Sequence, residues 1–299
     1  MMAHEMRTPD DPAGTGDIPV TGNAAGLFPR NSMIRRIGRE ALGLLGGGRA
    51  ILLQLAHPLV AAGVADHSTF QADPLERLLG TMNLMHKLIF GTRREALEAL
   101  QRFHAVHARI RGRLRQDAGR FPAGTRYHAN DPQLKLWVAA TLVDTGLVAY
   151  PRFVKPLTAG ECRRYYADAL ALTQLLGIPE EIMPPTLEDF RRYMTEMLAG
   201  DTLVVTDRAH RLAWKVLAPT DVGIIPAGCA RLLRFTTTGL LPPRFRNAYG
   251  LPWDVRRQRL LRALGWTTQQ LRPWAPKWVW QSPQLDGYLA RLLLWGVTS

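Results

Sequence analysis

Apolar residues recur at helical spacing along most of the chain, whereas the alternation typical of strands is nearly absent. The segment TLVVT at 202–206 is the only short strand candidate. Helix-start signals precede the periodic segments: DPLE at 73–76, TRRE at 92–95, Asp-Pro at 131–132, TAGE at 158–161 and TLED at 186–189. The pattern predicts helices near 34–45, 50–65, 74–89, 93–117, 132–149, 159–176, 187–199 and 207–217, with several more between 222 and 297. We therefore expect an all-α fold.

The chain divides into a polar arm and one multi-helix domain. Residues 1–28 are rich in Pro, Gly and Asp, which predicts a mobile arm, and residues 29–299 form the all-α domain. The arm has no apolar core of a signal peptide, so we expect a cytoplasmic protein. The most apolar stretch, 50–65, contains His57 and Pro58 and is short for a membrane span, which favours a buried core helix.

Charge indicates the kinds of binding partner, and cysteine content indicates the redox compartment. The 299 residues carry a formal charge of +13, and 33 of the 38 basic residues are arginine. These arginines are dispersed and no recognition motif accompanies them, so we expect no specific nucleic-acid binding; weak contact with an anionic membrane surface stays open. Cys162 and Cys229 form no CxxC pair, which favours a reducing compartment.

One predicted helix places a histidine on its apolar face. Within REALEALQRFHAVHARIRG (94–112), the side chains of a core-facing stripe are Ala96, Ala99, Leu100, Phe103, Val106 and Ile110. His107 lies about 40° from Phe103 around the helix, inside the stripe, and His104 lies about 100° away, at its border. Two interpretations remain: a ligand-binding histidine, or a hydrogen-bonded core histidine.

Other chemistries lack their motifs. Histidines gather in the first half of the chain, but no HExxH and no carboxylate at a ligand spacing accompanies them. There is no GxSxG elbow, and neither cysteine has a histidine nearby in sequence. The glycine run GLLGGGRA (43–50) matches neither GxGxxG nor a Walker motif, and it predicts a tight turn between helices.

A larger constellation precedes His107. Arg77 and Thr81 are four residues apart on one predicted helix, so they share a face that Met85 and Leu88 extend. The short segment FGT at 90–92 then makes this helix and the helix of His107 antiparallel neighbours. An apolar pocket with one imidazole, one guanidinium and one hydroxyl offers what haem requires, namely an iron ligand, a propionate partner and apolar walls.

Three ordered blocks resemble a known family. They are GRAILLQLAHPLVAAGVADHSTFQADPLERLLGT (48–81), FHAVHARIRG (103–112) and YHANDPQLKLWVAATLVDT (127–145). They resemble the MpaB-type oxygenases, which include the rubber oxygenases (latex-clearing proteins), and the resemblance covers roughly residues 30–260. It implies a globin-like, all-α core that holds haem b. It also implies O₂-dependent cleavage of carbon–carbon double bonds, in polyisoprene by the rubber oxygenases and in an isoprenoid side chain by the MpaB enzyme.

The resemblance assigns roles to individual residues. His107 matches the proximal iron ligand, and Arg77 and Thr81 match the arginine and threonine near the haem. Gly80 stands where the rubber oxygenases carry a distal lysine, and no glutamate plainly replaces their distal catalytic glutamate. The candidates for that distal group are His57, Asp66, His67 and Glu76.

These observations predict a haem b-dependent oxygenase that acts with O₂ on an apolar, isoprenoid or alkene-containing small molecule. His107 is the expected metal ligand, with Arg77, Thr81, His57 and His104 as further cofactor contacts. Arg77, Thr81 and His67 are the expected catalytic residues. The alternative is a non-catalytic haem- or lipid-binding protein on the same scaffold.

Overall fold

The protein is described here from a computed structural model that covers residues 26–67, 74–217 and 227–276, without the side chains of 74–79 and 227. The described part contains twelve α-helices and a single two-stranded sheet, which confirms the predicted all-α class. The helices are α1 (Met33–Gly38), α2 (Gly47–Leu55), α3 (Pro58–His67), α4 (Pro74–Phe90), α5 (Arg93–Arg109), α6 (Pro132–Phe153), α7 (Ala159–Leu175), α8 (Leu187–Ala199), α9 (Asp207–Leu217), α10 (Ala227–Leu240), α11 (Pro243–Ala248) and α12 (Val255–Leu271). The strands are β1 (Arg111–Arg113) and β2 (Arg126–His128), which pair antiparallel. Most of the predicted arm, residues 1–25, lies outside the described residues.

Local side-chain caps begin four of the helices as their sequences predict. The capping boxes of α5 and α7 are complete, because Thr92 pairs with Glu95 and Thr158 pairs with Glu161 in both directions. Asp131 caps α6 through the backbone N–H of Gln133. Thr186 likewise accepts the Asp189 N–H at the start of α8. The predicted cap at Asp73 lies outside the described residues.

Several predictions of secondary structure are wrong. The helix expected near 34–45 ends at Gly38, and the glycine run expected to form a turn lies in a 3-10 helix, Ala41–Gly46, and in the start of α2. The helix expected over 93–117 ends at Arg109, because Ile110 is extended and its carbonyl accepts the N–H of Ala129, beside the β1–β2 pair. The strand expected at 202–206 does not form. Its backbone is used instead in single tertiary bonds: Val204 N–H donates to the Ala56 carbonyl, and Arg244 donates to the Leu203 carbonyl.

The apolar stretch 50–65 is interrupted at His57 and Pro58. The segment Ala41–Leu55 and the helix Pro58–His67 meet at 101°. In the described part of the chain no single helix is long and apolar enough to cross a bilayer, although this bent pair passes that test by length and composition. The break leaves His57 between the two helices, where the residue is 5% exposed.

Close packing positions the helices that surround the candidate site. Helix α4 packs on α5 across the turn at Gly91 and Thr92. A Cβ atom at Gly91 would lie 2.6 Å from the Lys87 carbonyl oxygen, so only glycine fits this turn. Helix α2 packs on α6, where Trp137 is fully buried and donates its indole N–H to the Leu53 carbonyl.

Candidate functional site

His107 lies in the last turn of α5 and is half-buried. Its Nδ1 atom is 2.9 Å from the carbonyl oxygen of Phe103, and the two rings lie 3.9 Å apart between centroids. Because a carbonyl oxygen only accepts hydrogen bonds, Nδ1 carries the proton. In the neutral ring the lone pair then belongs to Nε2. This tautomer, held by a backbone carbonyl, is the one that protein histidines commonly adopt when they bind a metal through Nε2.

The apolar stripe of α5 is only partly covered. Ala96, Ala99 and Leu100 are buried as predicted. Val106, expected in the same stripe, is 56% exposed, so its assignment to the core is wrong. The described structure covers the first half of this face and leaves the last two turns, near His107, more open.

The His104 ring has neighbours that differ from those of the His107 ring. Both rings contact Phe103, but His104 also lies against the turn that follows α7, where a Cβ at Gly177 would come within 3.3 Å of its Cε1. Burial and the nearby charge of Lys135 lower the pKa of His104. A role for His104 in cofactor binding stays a prediction.

Helix α4 carries the other expected haem contacts. Arg77 lies in this helix, but its side chain is outside the described residues. Thr81 lies one turn further on and is exposed. Asn83 follows, and its Oδ1 atom is buried without a hydrogen-bond partner among the residues that the structure describes. Unsatisfied buried polar atoms are rare in folded proteins, so Asn83 is an unusual residue of α4.

His57 is a buried imidazole without a partner at Nδ1. Its ring lies 5.4 Å from that of Phe121, and no group in the described part of the chain accepts from or donates to Nδ1. Burial lowers the pKa of His57 to about 4, although the charge of Asp131 opposes the shift. His57 is therefore neutral at pH 7, as a residue that contacts an uncharged ligand would be.

This shift predicts a pH-dependent loss of stability. The unfolded chain takes up a proton at His57 near pH 6.5, whereas the folded chain resists it until about pH 4. The contribution is thus complete above pH 6.5 and is lost as the pH falls toward 4, for a total of about 3 kcal/mol. We expect His57→Gln to flatten the dependence of unfolding free energy on pH between 7 and 4.5, measured by urea denaturation. An unchanged slope would contradict this account.

His67 and Asp66 form a network at the end of α3. The His67 Nε2 atom donates to the Arg111 carbonyl at 2.8 Å, and its ring meets Tyr127 edge-on. Asp66 accepts from the Tyr127 hydroxyl at 2.8 Å and from Arg208 at 3.1 Å. Both carboxylate oxygens of Asp66 are therefore occupied in joining α3, β2 and α9. The catalytic role expected for His67 stays a prediction.

A buried arginine that the sequence patterns did not reveal supports α2. Arg49 is 3% exposed and donates to the Leu240 carbonyl at 3.0 Å, to the Thr145 hydroxyl at 2.8 Å and to Asp144 at 2.5 Å. All three partners lie far away in sequence, so no local motif indicates them. The network joins α2 to α6 and α10. It therefore holds in place the helix that ends just before the break at His57.

Comparison with known proteins decides the family. The sequence model described as "ER-bound oxygenase mpaB/B'/Rubber oxygenase, catalytic domain" matches residues 34–270. The chain belongs to this family. It is therefore an oxygenase, an oxidoreductase that uses O₂ and a small-molecule substrate. No curated protein and no solved structure matches the chain.

The expected site residues lie on two neighbouring helices and at the two ends of a third. His107 lies on α5, and Arg77 and Thr81 lie on α4, the helix that packs against α5. His57 and His67 lie instead at the two ends of α3, next to Phe121 and to the β1–β2 pair. Among the described residues, no three His, Cys, Asp or Glu side chains converge as a metal site would require.

Proposed function

We propose that this oxygenase depends on haem b, with His107 as the protein ligand of the iron. The observation that carries the proposal is the hydrogen bond from His107 Nδ1 to the Phe103 carbonyl, which leaves Nε2 as the basic nitrogen. Neutral imidazole with this arrangement is a common axial ligand of haem iron. The family match supports the oxygenase chemistry within which this ligand would act.

Helices α4 and α5 carry the types of residue that haem binding requires. Haem requires one axial ligand, a cation near its propionates and apolar walls. His107 would supply the first, and Arg77, on the neighbouring helix, would supply the second. The apolar side chains of Leu84 and Met85 on α4, and of Leu100 and Phe103 on α5, pack in or against the main core, and in this proposal such side chains would line the haem. The unsatisfied Asn83 amide oxygen adds a polar group to the same helix as Arg77.

Bound haem would supply the reactivity toward O₂. The protein would supply its binding, its orientation and the polarity of its surroundings. The Phe103 carbonyl holds His107 in one tautomer and one ring orientation. The apolar side chains exclude water, which strengthens the polar contacts that remain. Thr81 offers a hydroxyl that can donate or accept a hydrogen bond at its Oγ1 atom. A cytoplasmic location is part of this proposal.

The proposed substrate is an apolar alkene, such as an isoprenoid or another unsaturated lipid. Oxygen uptake by the haem-loaded protein, recorded with an oxygen electrode, tests this directly. Unsaturated compounds are paired with saturated counterparts of the same size: squalene with squalane, and oleic acid with stearic acid. We expect uptake with at least one alkene and none with its saturated partner. Haem-loaded protein that is inert toward every alkene would contradict the substrate class and favour the non-catalytic alternative.

Arg77 should contribute to haem retention and not to folding. If its guanidinium pairs a propionate, Arg77→Leu removes one charge-assisted bond, which is about 1–3 kcal/mol of binding free energy. Haem transfer to apomyoglobin should therefore become several-fold to a hundredfold faster, with far-UV circular dichroism unchanged. Arg102→Leu, which removes an exposed arginine of α5, is the matched control and should leave the transfer rate as in the parent protein. Equal transfer rates for all three proteins would refute the assignment.

A further inference from the structure

A cationic cavity lies away from the helices of the candidate haem site. It has a volume of about 330 Å³ and is bounded by the residues before and within α1, the end of α6 and the end of α12. None of its lining residues belongs to α4 or α5. Five of them are cationic: Arg30, Arg36, Arg39, Lys155 and Arg272.

Carboxylates neutralise only part of this charge. Glu40 is held by Arg272 in a two-pronged pair with distances of 2.5 Å and 3.2 Å, and its side chain is 3% exposed. Glu161 lies 2.8 Å from Arg36 and 3.9 Å from Lys155. Five cations therefore face two carboxylates, which leaves an excess of three positive charges around the cavity.

Two of the arginines have no carboxylate to neutralise them. Arg30 and Arg39 form no ion pair in the described residues. Both lie close enough to Arg35 for their repulsion, together with burial, to lower the pKa of that side chain. Like charges crowded together in this way raise the local positive potential, and such a potential concentrates anions.

The interior of the cavity offers hydroxyl donors. Ser32 is 9% exposed, and its Oγ atom is buried with no hydrogen-bond partner within the described ranges. Tyr150 is 2% exposed, and burial raises its pKa, so its hydroxyl keeps its proton at neutral pH. The nearby positive charge of Arg36 opposes this shift.

We propose that this cavity binds a phosphoryl group, carried by free phosphate, diphosphate or a phospholipid headgroup. A phosphoryl dianion has several oxygens that accept from guanidinium forks at the rim and from hydroxyls at the interior. The excess of three positive charges matches a doubly charged or more highly charged group better than a single carboxylate. Ser32 then acquires the partner that it lacks in the free protein.

Isothermal titration calorimetry of the 299-residue protein tests this site. The titrants are sodium diphosphate and sodium phosphate, at about 0.15 M salt to screen non-specific electrostatic attraction. We expect saturable one-to-one binding of at least one of them. The double variant Arg30→Gln/Arg39→Gln should weaken binding at least about tenfold, the effect of losing two charged donors. The control Arg191→Gln/Arg256→Gln removes two exposed arginines elsewhere and should leave the affinity unchanged.

Ser32→Ala provides a second variant that keeps the charge. This substitution should weaken phosphate or diphosphate binding by several-fold, because an oxygen of the bound phosphoryl group is the proposed partner of the Ser32 hydroxyl. Sedimentation with phosphatidylcholine vesicles, with and without phosphatidic acid, separates the sources. Binding to phosphatidic acid vesicles alone, lost in Arg30→Gln/Arg39→Gln, assigns the phosphoryl group to a lipid, whereas binding of the free ions assigns it to a soluble compound.

The proposal is overturned by either of two results. The first is the absence of saturable binding to both the ions and the vesicles. The second is equal weakening by the cavity variant and by the control variant, since this would mean attraction to net charge alone. Neither result affects the haem proposal, which rests on different helices.

Discussion

His107→Ala should abolish haem binding or reduce it strongly. The substitution removes the only imidazole that presents Nε2 from the last turn of α5 with Nδ1 fixed by the Phe103 carbonyl. The purified variant should lack the Soret band, whereas its far-UV circular dichroism should match that of the parent protein, because α5 is capped and packed through residues nearer its start. Imidazole added to the variant should restore part of the spectrum by refilling the axial position.

His104→Ala is the matched control for this result. His104 lies on the same helix and contacts the same Phe103 ring, but it faces the turn after α7. We expect at most a modest loss of haem in this variant. If His107→Ala retained the haem content and spectrum of the parent protein, His107 would be a core residue and the proposed iron ligand would be wrong.

Breaking the buried pair of Arg49 and Asp144 should destabilise the protein more than any surface change. The Arg49 side chain is 4% exposed and that of Asp144 is 19% exposed. Arg49→Met leaves a carboxylate, a hydroxyl and a carbonyl without their donor. Removing one partner of a buried ion pair typically costs about 3–5 kcal/mol of unfolding free energy. Urea denaturation at pH 7.5 measures this loss.

An exposed ion pair of the same type supplies the control. Arg94 and Glu98 lie 3.5 Å apart on α5, with side chains that are 80% and 49% exposed. Arg94→Met should cost less than about 1 kcal/mol, because water screens such pairs. Similar losses for Arg49→Met and Arg94→Met would mean that the Arg49 network does not hold α2 in place.

Local signals made most helices predictable from the sequence. A cap acts over three residues, so Thr92 with Glu95, or Asp131 with Pro132, is visible in the sequence and forms as expected. The break at Pro58 was not part of the helix predicted over 50–65, although the fixed backbone of proline accounts for it. These features depend on neighbours along the chain, and no tertiary contact overrides them.

Features that depend on distant partners were not predictable. The strand Arg111–Arg113 has no apolar alternation, and it forms because its backbone pairs with Arg126–His128. Arg49 looks like one more basic residue until Asp144 and Leu240 are brought to it. The family resemblance singled out His107, but the acceptor of its Nδ1 proton became known only from the helix geometry.

The absorption spectrum of the purified protein, as isolated and after reduction, tests the central claim most directly. A haem b protein with one histidine ligand should show a Soret band that shifts on reduction, with an intensity that corresponds to about one haem per chain. That spectrum is the result expected here. Protein purified with haem supplied throughout expression that shows no Soret band in either state would contradict the account.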